Sequence, residues 1–284
     1  MDMDNTNLRQ AENVAKVTGK VSDISLEKLE AGTPKEHIKG NIFIKTSDTN
    51  VVRVGVFCSK YTSERNLNEK VYPGINTVME QYKSIASYGE EEADVVTVKG
   101  SVDWYREGPT YKSNFFTRVN KVPEEYEATF DVEVYIDSTM FETDADGEET
   151  GRIIINGWVP MYKGIKPIKI IADTDLASEV DGYFEVGSTY KIFGKIVSSK
   201  TVTKNVVKAG IGKDKIEEKV TYVNELIMEG ATEEYVDEKA FDPDAVKLSV
   251  QEYKDGLKDA QNKANNHNTN NKPSGMASGR TLSF

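Results

Sequence analysis

The segment VDWYREGPTYKSNFF, residues 102–116, gathers five aromatic side chains and two cations into fifteen positions. Trp104, Tyr105 and Tyr111 supply flat faces on which unpaired bases stack, worth about 1–3 kcal/mol per base, while Arg106 and Lys112 supply charge for phosphates. Phe115 and Phe116 are adjacent, so in a strand they point to opposite faces; one must look outward, and Phe116 is assigned to the ligand side. A second group, GWVPMYKGIKP, places Trp158, Tyr162, Lys163 and Lys166 together, so both tryptophans of the chain lie in aromatic-basic stretches. A third group is purely basic. Lys200, Lys204, Lys208, Lys213 and Lys215 are interrupted only by Asp214 between Lys195 and Glu217. Stacking rings beside phosphate-binding cations are the chemistry of single-strand recognition. A lysine run is equally the pattern of a solvated face, and both readings stay open for this one.

Catalytic chemistry finds fewer footholds. The two histidines, His37 and His267, read as solvated loop and tail residues, which leaves no histidine-based triad or zinc site to assemble. GIGKDK (210–215) has Val207 where a phosphate loop needs its first glycine, and Asp214 where it needs Ser or Thr. DTDADGEETG offers oxygen ligands at alternate positions, but Gly147 is out of place for a calcium loop and no glutamate closes it, so a hairpin turn is expected. Cys58 is the single cysteine and sits in the apolar run VVRVGVFCSK, as a small core residue does. The expectation is a non-enzyme with no cofactor and no metal.

The elements that would position these groups come in two similar sets. Strands are predicted at 14–24, 40–46 and 51–61, then a helix carrying Ile75, Val78, Met79, Tyr82 and Ile85 on one face, then strands at 95–104 and 113–122. The order repeats at 128–136, 151–159 and 165–173, a short helical stretch at 175–180, and strands at 189–197 and 221–230. GNIFI at Gly40 matches GRIII at Gly151, VTVKGSV around Gly100 matches YKIFGKI around Gly194, and EEY ends both units. Five strands with a helix between the third and fourth is the OB-fold order, whose ligand surface is the face of strands 2 and 3 together with two loops. The fold class expected is therefore mainly β: two tandem OB-like five-stranded barrels, 1–126 and 127–235, each with one helix between strands 3 and 4. Another small barrel or sandwich with one helix fits the same order. A short helical extension is expected at 236–263, with a disordered polar tail at 264–284. On this frame, segment 103–114 connects strands 4 and 5 of the first unit. The matching connection in the second unit is longer by 15 residues and carries the lysine run.

Charge is uneven. The formal net charge is −11, residues 1–122 are balanced at 17 basic and 17 acidic side chains, and residues 123–235 carry 12 basic against 23 acidic. Indiscriminate coating of duplex DNA is not expected of such a chain, although a local basic groove still attracts phosphates. No run reaches the roughly 18 apolar residues of a membrane span, and the N-terminus has no apolar stretch of a signal peptide, so a cytoplasmic protein with no membrane partner is expected.

The paired strand order, the aromatic-basic loops and the polar C-terminal tail resemble single-stranded-DNA-binding proteins of the phage or bacterial replication type, here with tandem OB-folds. The resemblance covers about residues 14–235 and is one of architecture. It implies single-stranded DNA, or RNA, as partner in replication or recombination, with a host cytoplasm as the setting if the chain is phage-encoded. In that family an acidic tail ending in Phe recruits replication proteins. Phe284 matches that final residue, while SGRTLSF departs from the family in lacking the acidic cluster; Leu282 and Phe284 together read as an apolar tip that a partner could hold or as an ordinary apolar terminus. A structural or adaptor role, such as a virion component using its β-barrels for protein contacts, is the alternative, and it accounts for the acidity directly.

Overall fold

Strands rich in β-branched residues are the main regular structure of the chain. The computed structural model describes residues 8–105, 108–162, 164–207 and 215–270. Its first half forms β1 (Asn13–Leu29), β2 (His37–Lys45), β3 (Val51–Ser59), α1 (Val71–Gln81), the short α2 (Ile85–Tyr88), β4 (Val95–Tyr105), β5 (Gly108–Lys112) and β6 (Phe116–Arg118). The second half forms β7 (Glu127–Thr143), β8 (Glu149–Pro160), β9 (Ile165–Ala172), α3 (Ala177–Val180), β10 (Thr189–Val207) and β11 (Lys215–Ala231). A 3-10 turn at Asp237–Lys239 leads into helix α4 (Pro243–Asn270). Among the described residues all eleven strands belong to one mixed sheet.

Two circuits of pairing run inside that sheet. In the first, β1 pairs antiparallel with β2, β2 with β3, β5 with β4 and β4 with β1, while β3 meets β5 in parallel at Val54↔Tyr111 and Gly55↔Lys112. In the second, β7, β8 and β9 pair in turn, β11 pairs with β10 and β10 with β7, and β9 meets β11 in parallel at Ile171↔Ile227. The repeat read from the sequence is thus present in the strand order. Each parallel link is only one or two residue pairs wide, so the two expected barrels reduce to a large mixed sheet with a C-terminal helix. Two glycines make the narrow links sterically possible. A Cβ at Gly100 would lie 2.1 Å from the Lys112 carbonyl oxygen, and one at Gly194 would lie 2.0 Å from that of Ile227.

The halves are joined strand to strand. β1 pairs with β7 from Asn13↔Val132 to Thr18↔Glu127, and the buried side chains of both halves form one continuous cluster. On β2 and β3 the inward phase is Ile38, Ile42 and Ile44 with Val52, Val54, Val56 and Cys58, all buried. Helix α1 buries Tyr72, Ile75 and Val78 in the same core. It starts earlier than the periodicity predicts, because Pro73 falls in the first turn, where its missing N–H is not needed. Glu36 fixes the connection between β1 and β2. It accepts from the Tyr72 hydroxyl at 2.6 Å, the Gly32 amide at 2.7 Å and Lys60 at 3.1 Å, and these bonds hold its carboxyl down at about 2.

Three expectations need correction. Segment 103–114 is not a free loop: it is mostly the β4–β5 hairpin, and β5 rather than the predicted strand 113–122 closes the first circuit, leaving only β6 from that strand. The lysine-rich connection is likewise mostly strand, since β10 and β11 pair continuously out to Val207↔Lys215. Helix α4 runs through Asn270, past the expected end of the helical extension. The DTDADGEETG segment is the hairpin turn between β7 and β8, with Gly147 at φ +88 and the Asp144 carboxylate accepting from the amides of Asp146 and Glu148.

Candidate nucleic-acid interface

The phase of β2 and β3 opposite to the core points away from it and carries a different set of residues. Cross-strand partners on this outer face are Lys39↔Phe57, Asn41↔Gly55 and Phe43↔Arg53. Phe57 is 62% exposed, with the His37 ring 5.2 Å from it. Arg53 donates from Nε to Asn41 Oδ1 at 2.8 Å, which aims the guanidinium across the strands, and it makes no ion pair with a carboxylate among the described residues. Gly55 leaves the space between Arg53 and Phe57 without a side chain, and Lys112 of β5 stands next to it in register, ion-paired with Asp103. Phe115, 66% exposed, closes this end: it lines a shallow depression of about 450 Å³ with Phe57, Gly55 and Lys112. Asn114 holds that turn against β3 by donating to the Phe57 carbonyl at 2.9 Å.

At its other end the face runs into a cleft of about 980 Å³ between the two halves. Phe43, Arg53, Trp104 and Lys112 line it from the first half, Lys166 and Tyr222 from the second. The β10–β11 hairpin forms the far wall because its strands outrun the core of their own half. Asn50 fastens that wall, donating to the Ile196 carbonyl at 3.0 Å and accepting from the Ser198 amide at 2.7 Å. Asn224 donates to the Pro109 carbonyl at 2.9 Å from the opposite strand. Tyr222 on the cleft side is 71% exposed and is the register partner of Lys200.

A smaller cleft of about 460 Å³ lies alongside, and Trp104 lines both. Its other walls include Trp158, Asn156, Pro167 and Lys169 from β8 and β9, and Asp137. The Trp158 indole N–H donates to Asp137 Oδ1 at 3.1 Å. Behind that ring, the Tyr253 ring of α4 meets it edge-on with centroids 5.9 Å apart.

The residues singled out from the sequence divide accordingly. Lys112, Trp104 and Lys166 line the larger cleft, and Trp104 and Trp158 converge on the smaller one. Tyr111 is not a stacking platform. It borders the larger cleft but is only 4% exposed, and burial pushes its phenol up while the hydroxyl has no hydrogen-bond partner among the described residues. Phe116 packs against the core, and its neighbour Phe115 takes the outward position instead. Trp158 is buried rather than displayed, with one edge left to the cleft. Tyr162 is exposed just beyond β8 and lines neither cleft. Tyr105 ends β4, and Lys200, Lys204 and Lys215 lie along the β10–β11 hairpin. Arg106, Lys163, Lys208, Lys213, Leu282 and Phe284 lie outside the described residues. Sequence reading missed His37, Lys39, Phe43, Arg53 and Phe57, and took His37 for a loop residue when it opens β2. The signal was available, since HIKGNIFIK and VVRVGVFCS alternate with only Gly40 and Val51 out of pattern, and the phase opposite to Ile38, Ile42, Ile44, Val52, Val54, Val56 and Cys58 is this face.

The YorF family model matches residues 11–263, and the chain belongs to that family. No curated protein matches the sequence. Among solved structures, the wild-type single-stranded DNA binding protein from Thermus aquaticus is similar at 9% identity and a TM-score of 0.46, covering 81% of this chain and 96% of that one. A deletion mutant of the same protein gives 8% identity, a TM-score of 0.44, and 80% and 97% coverage. Among the described residues no helix is long and apolar enough to cross a membrane.

Proposed function

We propose that this member of the YorF family binds single-stranded nucleic acid without reading its sequence, as a non-catalytic protein of DNA replication or recombination. The observation that carries the reading is the outer face of β2 and β3. Rings at Phe43 and Phe57 alternate there with cations at Lys39, Arg53 and Lys112, and the face opens into the cleft containing Trp104, Lys166 and Tyr222. In an OB-like unit this is the face a strand crosses, and the two pairing circuits are read here as two such units in tandem. The strand lies over the first unit with bases on the phenylalanines and phosphates on the cations, then enters the cleft beneath the β10–β11 hairpin. The same hairpin carries Lys200, Lys204 and Lys215 along its strands, cations that extend the basic character of this path in the sequence.

The test is anisotropy of a labelled oligothymidine, the matching RNA and a duplex of equal phosphate count, each at three salt concentrations. Single strands should bind more tightly than the duplex. The affinity should fall with salt, with a logarithmic slope of about −0.7 for each phosphate neutralised. Equal binding of duplex and single strand, or none of either, would refute the reading. The adaptor reading is favoured by one observation, the net charge of −11, and it predicts no binding to any of the three probes.

A further inference from the structure

The smaller cleft holds groups that a path along the open face does not use. Two indoles, a proline ring, an amide, a carboxylate and an ammonium face a space of about 460 Å³, within the range of small-ligand sites. The arrangement is fixed before any ligand arrives. Trp158 is held on one side by its bond to Asp137, on the other by the Tyr253 edge, with Lys254 5.8 Å above its ring. Pro167 sits opposite Trp158 in register, and Lys169 opposite Asn156, so the flat apolar wall and the cation share one face of β8–β9. Lys169 makes no ion pair among the described residues.

We propose that this cleft takes a single nucleotide turned out of the strand, a deepening that rests on the single-strand reading above. The base lies against Trp104 and the exposed edge of Trp158, with its N–H donors toward the Asp137 carboxylate, whose charge turns the phosphate away. The phosphate goes to Lys169. Because Trp104 also lines the larger cleft, a strand running there passes the mouth of the smaller one and can commit one residue to it without leaving its path. A preorganised site of this kind orders little on binding, and so keeps most of its contact energy as affinity. A free mononucleotide has the same chemistry, and the experiment separates the two sources.

The chain has only these two tryptophans, so Trp104→Phe leaves Trp158 as sole reporter and Trp158→Phe leaves Trp104. Each variant is titrated with oligothymidine and, separately, with dGMP and dTMP, while strand binding is followed independently by anisotropy of a labelled oligonucleotide. Oligothymidine should quench both reporters. Lys169→Ala should weaken strand binding about fivefold to tenfold and make the salt slope shallower by about 0.7, the loss of one phosphate contact. If the strand binds by anisotropy while Trp158 emission stays constant and Lys169→Ala changes neither affinity nor slope, the cleft proposal is wrong and the single-strand reading stands. If no strand binds but a mononucleotide quenches both reporters in a Lys169-dependent way, the cleft is a free-nucleotide site and the single-strand reading falls. Quenching by neither probe overturns the cleft proposal outright. Lys169 is a surface cation, so its variant tests the site even where Trp158→Phe lowers stability.

Discussion

Phe57 and Ile42 lie on neighbouring strands of one sheet but on opposite faces, and their truncations should have opposite consequences. Phe57 is 62% exposed, so Phe57→Ala removes little buried surface, and its cost in stability should stay within about 1 kcal/mol, the size of one cross-strand contact. If a base stacks on this ring, the same change removes about 1–3 kcal/mol of binding, or roughly a fivefold to 150-fold rise in Kd. Ile42 is completely buried, and Ile42→Ala should cost about 2–5 kcal/mol of stability through lost burial and the cavity left behind. At a temperature where both variants are folded, Ile42→Ala should bind a strand as the parent does. Melting curves and oligothymidine anisotropy on the two proteins read both effects. A Phe57→Ala protein that keeps its affinity would sink the argument that the outer face of β2 and β3 is the interface, whatever happens to its melting point.

Two further outcomes follow from groups outside the interface. Tyr111→Phe deletes a buried hydroxyl that has no partner among the described residues, so stability should hold or rise, by up to the roughly 1–3 kcal/mol that an unsatisfied buried group costs, and strand affinity should not move; a loss of affinity would return Tyr111 to the binding surface. The Glu36 carboxyl is held at about 2 by the Tyr72 hydroxyl, the Gly32 amide and Lys60, so its stabilising contribution is complete above the ordinary carboxylate value of 4.5 and is lost as pH falls from there toward 2. The gap in melting temperature between the parent and Glu36→Gln should therefore be full at neutral pH and close in that acid window, and a gap independent of pH would refute the assignment.

Strand order was legible because alternation and β-branching act locally, residue by residue. Gly100 and Gly194 were legible only as matching positions of the repeat; that each lies against a backbone carbonyl of the neighbouring strand is known from the structure. What sequence reading could not give was set by pairings between distant segments. Nothing in VAKVT or ATFDV announces that β1 and β7 will pair and merge two cores into one. The error at Tyr111 has a similar origin. An aromatic residue near cations reads as a platform, but β5 is drawn in against β3, and the pleat then turns Tyr111 toward the core and Lys112 outward. Trp158 reads from the sequence as a ring offered to a ligand, yet it is buried, with the edge of Tyr253 against it, almost a hundred residues further on and contributed by a helix whose docking the local pattern does not specify.

The acidity that seemed to argue against a polyanionic ligand loses force once the charges have places. The whole excess falls in residues 123–235, whereas the open face belongs to the balanced first half. Beyond a Debye length of about 8 Å at physiological salt, exposed carboxylates elsewhere on the surface contribute little at that face. Within it, Asp103 is paired with Lys112 and Glu27 with Lys39 at 3.5 Å, and Arg53 is aimed by Asn41 with no carboxylate partner among the described residues. An acidic body around a locally cationic, ring-bearing face then does something useful for a single-strand binder. A duplex is stiff, its bases are stacked inside, and its two phosphate backbones would have to lie against the acidic surroundings as well. A flexible single strand can keep to the narrow path between Phe57 and Trp104. If the proposed single-strand binding holds, net negative charge would disfavour duplex rather than obstruct the single strand, and the duplex arm of the anisotropy titration reads that difference.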